Sequence, residues 1–135
     1  HIVGLLPGEA SVFRTVGGRV TDAVIEQLGM VAGLAKLLAG DEAELDVALI
    51  HHTSCGASLF GDHGVQQRLA ATAGTSPEKV ATLAIADPVD TVRGDLDRLR
   101  DSVLPARLRV SGYVYDVATG VLEPVEDTRV LRSTA

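Results

Sequence analysis

Leu45-Asp46-Val47-Ala48-Leu49-Ile50 runs directly into His51-His52-Thr53-Ser54-Cys55-Gly56, and this stretch decides how the chain is read. The first half is short and mostly apolar, which suits a strand buried on both faces, as in a parallel sheet. The second half is polar and follows the strand's carboxyl end, where open α/β sheets place their sites. His52 and Cys55, three apart beyond a strand end, can turn toward one point, and imidazole and thiolate are natural ligands of Zn²⁺. His51 neighbours His52 on extended backbone, so the two side chains face opposite ways and do not share a metal. Zinc takes more than two protein ligands. His63, Asp62 and His1 are the further candidates, and none has a spacing that compels the assignment. A second chemistry is open to the same residues: Cys55 as a nucleophile with His51 or His52 as its base. The plain alternative is a lone cysteine packed as a small core residue.

Upstream, Ser11-Val12-Phe13-Arg14-Thr15-Val16 alternates apolar and polar and predicts a short strand. Gly17-Gly18 closes it. Thr21 is a good helix N-cap, with Asp22 in the first turn. Val24, Leu28, Val31, Leu34, Ala35 and Leu38 then recur at helical spacing until Gly40. Gly17-Gly18 is placed to hold an anion through backbone amides, but it matches neither G-x-G-x-x-G nor a phosphate loop, and a tight turn explains it equally. Arg14, beside this turn, reads as a surface ion-pair partner or an anion contact.

Downstream, Gly64 to Ala73 predicts a helix, and Ser76-Pro77 and Asp87-Pro88 each open another. The last carries Val89, Val92, Leu96, Leu99 and Val103 on its apolar side. Arg93, Asp97, Arg98, Arg100 and Asp101 form its solvated face. After Pro105 the period changes to two. Leu108, Val110, Gly112 and Val114 alternate against Arg109, Ser111, Tyr113 and Tyr115. Ala118-Thr119-Gly120 turns the chain, and Val121 to Val125 returns, a hairpin whose Pro124 suits a sheet edge. The order is β-α-β-α-α-α-β-β, an α/β pattern.

The 135 residues are read as one domain, 1-135, large enough to bury a core without disulfide or metal. Apolar residues are 46% and charged residues 22%, which excludes a disordered chain. Twelve Lys+Arg against eighteen Asp+Glu leave a net charge of −6, which disfavours nucleic acid and anionic membrane surfaces as partners. No apolar run of the ~20 residues that span a membrane is expected; Val80 to Ala86 is the longest candidate. No secretory signal is read at the start. The single cysteine excludes an intrachain disulfide and fits a reducing, cytoplasmic compartment. With no Trp and 3% aromatic residues, the core is expected to be aliphatic.

Three blocks carry a family resemblance. Gly8-Glu9-Ala10-Ser11-Val12-Phe13-Arg14-Thr15-Val16-Gly17-Gly18-Arg19-Val20-Thr21-Asp22 resembles the G-D-A-x-V-x-R-N-A-G-G-x-V-T-D stretch of β-class carbonic anhydrases. His51-His52-Thr53-Ser54-Cys55-Gly56 resembles their H-H-T-x-C-G metal loop, and Ser111 to Leu122 resembles their closing hairpin. The blocks occur in family order from Val3 to about Val125. The resemblance implies a twisted, mostly parallel β-sheet flanked by helices with a C-terminal edge hairpin. It also implies a homodimer or higher oligomer, and one Zn²⁺ per protomer held by Cys, His and Cys. The family's His and second Cys match His52 and Cys55. The implied reaction is reversible hydration of CO₂ to bicarbonate by zinc-bound hydroxide.

Two departures accompany the resemblance. The family's C-x-D-x-R motif, with its first Cys ligand and its Asp and Arg, is not in this sequence. We expect it in a segment preceding His1, and no catalytic residue is assigned within the chain. Thr15 and Val16 stand where the family has Asn and Ala. Hydrolysis of a CO₂-like molecule such as carbonyl sulfide is the alternative activity, and a non-catalytic dimerisation module is the alternative class.

Overall fold

The computed structural model describes residues 3–131. Its helices begin where the sequence supplies a capping side chain. Thr21, Asp62, Ser76 and Asp87 each accept a hydrogen bond from the backbone N–H three residues on. Each bond satisfies one of the donors left open at a helix start. From these caps run α1 (Asp22–Ala39), α2 (His63–Ala73), α3 (Pro77–Thr82) and α4 (Pro88–Asp101). Gly40 ends α1 and Gly74 ends α2, both at positive φ.

Three strands follow, one from the apolar run at Leu45 and two from the hairpin: β1 (Glu44–His52), β2 (Arg107–Tyr115) and β3 (Leu122–Leu131), in the order β1-β2-β3. β1 and β2 are parallel, with Leu45 opposite Leu108, His51 opposite Val114 and His52 opposite Tyr115. β2 and β3 are antiparallel, with register shifts between Val110 and Tyr113. Leu45, Val47 and Leu49 on β1 and Leu108, Val110 and Val114 on β2 share one face of the pleat. That face packs with Val20, Leu28, Val92, Leu96, Leu99 and Leu104 into the main core. Gly112 lets α4 lie on bare backbone: a Cβ there would come within 2.5 Å of Val92 Cγ1 and 2.8 Å of Leu96 Cδ1. The opposite face carries an ion ladder, in which Arg109 forks onto Asp46 and reaches Glu44, and Arg107 reaches Glu42.

Several expectations are corrected. Ser11 to Thr15 form no strand and are largely exposed; Val16 enters a 3-10 turn, Val16–Gly18. Alternation makes a strand only when a neighbour accepts its hydrogen bonds, and no described residue pairs with this segment. The sheet is mixed, one parallel and one antiparallel pairing, rather than mostly parallel. β1 is not buried on both faces, because Asp46 and Ala48 face outward. Val103 lies past the end of α4 and is exposed. Finally, Asp22–Glu42 is long and apolar enough by composition to cross a membrane, contrary to the expected absence of such a run. Between positions 23 and 40 only Glu26, Gln27 and Lys36 are polar, too few to offset apolar residues that line both the core side and an exposed side. Leu28 and Ala32 are buried, while Met30, Leu34, Leu37 and Leu38 are exposed.

Candidate metal centre

β1 delivers two adjacent histidines to opposite environments. His51 is 1% exposed, with Nε2 3.0 Å from the Gly18 carbonyl and 3.6 Å from Asp95 Oδ2. A carbonyl only accepts, so Nε2 carries the proton, and the buried Nδ1 has no hydrogen-bond partner. Burial pushes the His51 imidazole below its ordinary pKa, against the opposing pull of the Asp95 charge.

His52 is exposed on the other face. Its Nδ1 lies 2.8 Å from the Thr53 carbonyl and therefore donates. That tautomer leaves the Nε2 lone pair facing outward, the state in which imidazole binds a metal. The loop beyond is stitched to the β2–β3 turn. The Thr53 N–H donates to Tyr115 O at 2.9 Å. The Thr53 hydroxyl donates to Asp116 Oδ1 at 3.3 Å and accepts from the Val117 N–H at 3.1 Å. The Ala118 N–H, the Thr119 hydroxyl and the Thr53 hydroxyl together hold the Asp116 carboxyl below its ordinary range. Ser54, at φ 56°, is the sole non-glycine residue at positive φ among the described residues. Such a conformation costs roughly 1–3 kcal/mol and is typical of functional loops. The half-buried, free Cys55 follows Ser54 directly.

One imidazole with an outward lone pair and one thiol make a donor pair suited to zinc. They fit part of a zinc site. Among the described residues no group of three His, Cys, Asp or Glu could hold a metal. Asp62 commits Oδ1 to the Val65 N–H as the α2 cap, and His63 Nδ1 lies 3.4 Å from Gln66 Oε1. His1 lies outside the described residues. His51, turned to the far face and pinned to Gly18, is not placed to serve Cys55 as a base.

Gly17 and Gly18 are explained by packing rather than by an anion. Their φ values are 65° and 67°. A Cβ on Gly17 would meet Ile85 Cδ1 at 2.9 Å, and one on Gly18 would meet His51 Cδ2 at 3.0 Å. The Gly18 and Arg19 amides are turned inward to Thr15 O and Val16 O. Arg14 is exposed, and the surface pair expected for it is not found among the described residues. Sequence reasoning missed Arg19 and Asp95, which meet in the interior. The signal was available: Asp95 stands three residues after Val92 and beside Leu96, within the apolar stripe of α4.

A helix-backed α/β sheet with an imidazole–thiol loop at the carboxyl end of a parallel strand defines a class of candidate metalloprotein. No family model matches the chain. It is 32% identical over 126 residues to the β-carbonic anhydrase 1 of Mycobacterium bovis and of Mycobacterium tuberculosis, covering 93% of this chain and 72% of those relatives. The carbonic anhydrase of Streptococcus mutans superimposes with a TM-score of 0.70 at 30% identity, over 93% of this chain and 72% of that one. An apo carbon disulfide hydrolase shares the fold, with a TM-score of 0.64 at 19% identity over 90% of this chain and 69% of its own. The chain belongs to the β-carbonic anhydrase family.

Proposed function

We propose that the chain catalyses the reversible hydration of CO₂ to bicarbonate, with zinc held in part by His52 and Cys55. The observation that carries this reading is the His52 tautomer: Nδ1 is committed to Thr53 O, and the free Nε2 stands three residues from the loop thiol. The 32% identity to β-carbonic anhydrases supports the reaction. When bound, zinc supplies a Lewis acid and brings the pKa of a water down toward neutrality. The chain's own residues orient and hold. Thr53 anchors the loop to Tyr115 and Asp116, and Ser54, at positive φ, lies between His52 and Cys55. Among the described residues His52 and Cys55 form no group of three donors, so they supply only part of the set that zinc takes. The test, made on protein that carries a C-x-D-x-R segment ahead of His1, is zinc per protomer by elemental analysis beside stopped-flow hydration, for the wild type and His52→Ala. Zinc lost with the substitution supports the assignment, and equal zinc in both overturns it. Carbonyl sulfide assayed beside CO₂ decides the substrate.

The same reading makes the chain at least a dimer. Met30, Leu34, Leu37 and Leu38 on α1, with Leu6 and Val12, are exposed apolar side chains that a second copy would cover.

A further inference from the structure

Half-buried Arg19 and the buried His51 and Asp95 form a polar cluster on the helix-backed face of the sheet. Asp95 is 2% exposed. Its Oδ2 accepts from Arg19 Nε at 2.8 Å and from the Val20 N–H at 3.2 Å, and its Oδ1 accepts from Arg19 Nη2 at 3.1 Å. Arg19 Nη1 donates to the Thr82 and Ala84 carbonyls, both at 2.9 Å. A guanidinium fork thus fastens the segment just after the glycine turn to α4, to the end of α3 and to the connection between them. The turn in turn fastens β1, because Gly18 O takes the His51 Nε2–H.

Such a pair is poor value as a source of stability alone, since buried ion pairs are often no better than apolar replacements. Its location gives it another use. His51 is locked on one side of β1, and the next peptide is planar, so the direction of His52 on the other side is set by the same lock. Gly18 has no side chain to push the His51 ring away. We propose that Asp95 is a positioning residue for the metal loop, acting through Arg19, the glycine turn and His51 to fix the strand end that presents His52. Its consequence for zinc rests on the ligand reading above; its consequence for the loop does not.

The test compares wild type, Asp95→Asn and Arg19→Lys, which keeps the charge but not the fork. Native-state hydrogen exchange is followed at the Gly18 and Thr53 amides, bonded to Thr15 O and Tyr115 O, with the Arg107 amide, bonded to Ala43 O at the far end of the sheet, as control. Zinc affinity is measured by competition with a chromophoric chelator. Both variants are expected to exchange Gly18 and Thr53 about tenfold faster with Arg107 unchanged, and to bind zinc about tenfold more weakly. Exchange at Gly18 and Thr53 within roughly twofold of wild type overturns the proposal, as does equal acceleration at all three amides, which marks a global loss of stability. If Asp95→Asn does not fold, Arg19→Lys decides, and failure of both to fold makes the cluster a folding element only and overturns the proposal. A wild type that binds zinc no better than His52→Ala refutes the ligand reading, and the exchange data then judge the positioning role by themselves.

Discussion

Replacing Gly18 by Ala tests the close approach between the glycine turn and the end of β1. Gly18 sits at φ 67°, where an L side chain is strained. Gly74 sits at φ 64°, but nothing lies within 4 Å of a Cβ built there, so Gly74→Ala reports the backbone term alone, about 1–2 kcal/mol. At Gly18 the new methyl meets His51 Cδ2 at 3.0 Å and Ile50 O at 3.3 Å. Neither can yield easily: the first belongs to a ring that is 1% exposed and bonded through Nε2, and the second is backbone. Overpacking of this kind adds about 1–3 kcal/mol. Gly18→Ala is therefore expected to destabilise by about 2–5 kcal/mol, the sum of the two contributions. With a urea slope near 2 kcal/mol/M, its midpoint falls about 0.5–1.5 M below that of Gly74→Ala. Urea unfolding of wild type and both variants, followed by circular dichroism, gives the comparison. A Gly18→Ala midpoint equal to or above that of Gly74→Ala would refute the packing argument.

Cys55→Ser is expected to lose stoichiometric zinc as His52→Ala does, because a neutral hydroxyl replaces a thiolate; elemental analysis of purified protein checks it. Gly112→Ala should destabilise by about 1–3 kcal/mol, since its methyl would enter Val92 and Leu96 on α4, and unchanged thermal unfolding would contradict the fold description. The Asp116 carboxyl is lowered in the folded state, so its contribution is complete above its ordinary value of 3.8 and fades as pH falls through the folded value. Acid titration of stability should accordingly show a steeper loss below that pH in wild type than in Asp116→Asn, and parallel curves would count against the Thr53–Asp116 link. Leu37→Glu with Leu38→Glu should leave the fold intact, because both side chains are exposed, yet convert a sedimenting dimer to monomer. A wild type already monomeric at micromolar concentration would remove the case for assembly.

Local chemistry made much of this protein readable in advance. Thr21, Asp62, Ser76 and Asp87 cap their helices through bonds three residues long, which depend on nothing distant. The hairpin of β2 and β3 follows from its period of two and the turn at Ala118-Thr119-Gly120. The opposed environments of His51 and His52 follow from the pleat of a single strand. What required the tertiary structure is whatever depends on a neighbour remote in sequence. Ser11 to Val16 has the alternation of a strand and finds no partner to bond among the described residues, so it is none. Asp95 looks like one more charge on a charged helix until Arg19 and Val20, 76 and 75 residues away, are brought to its oxygens. His51 acquires its role only when Gly18 O arrives 3.0 Å from its ring. Spacing along the chain sets which groups share a face; burial and partnership are set by which faces meet, and only the packed chain decides that.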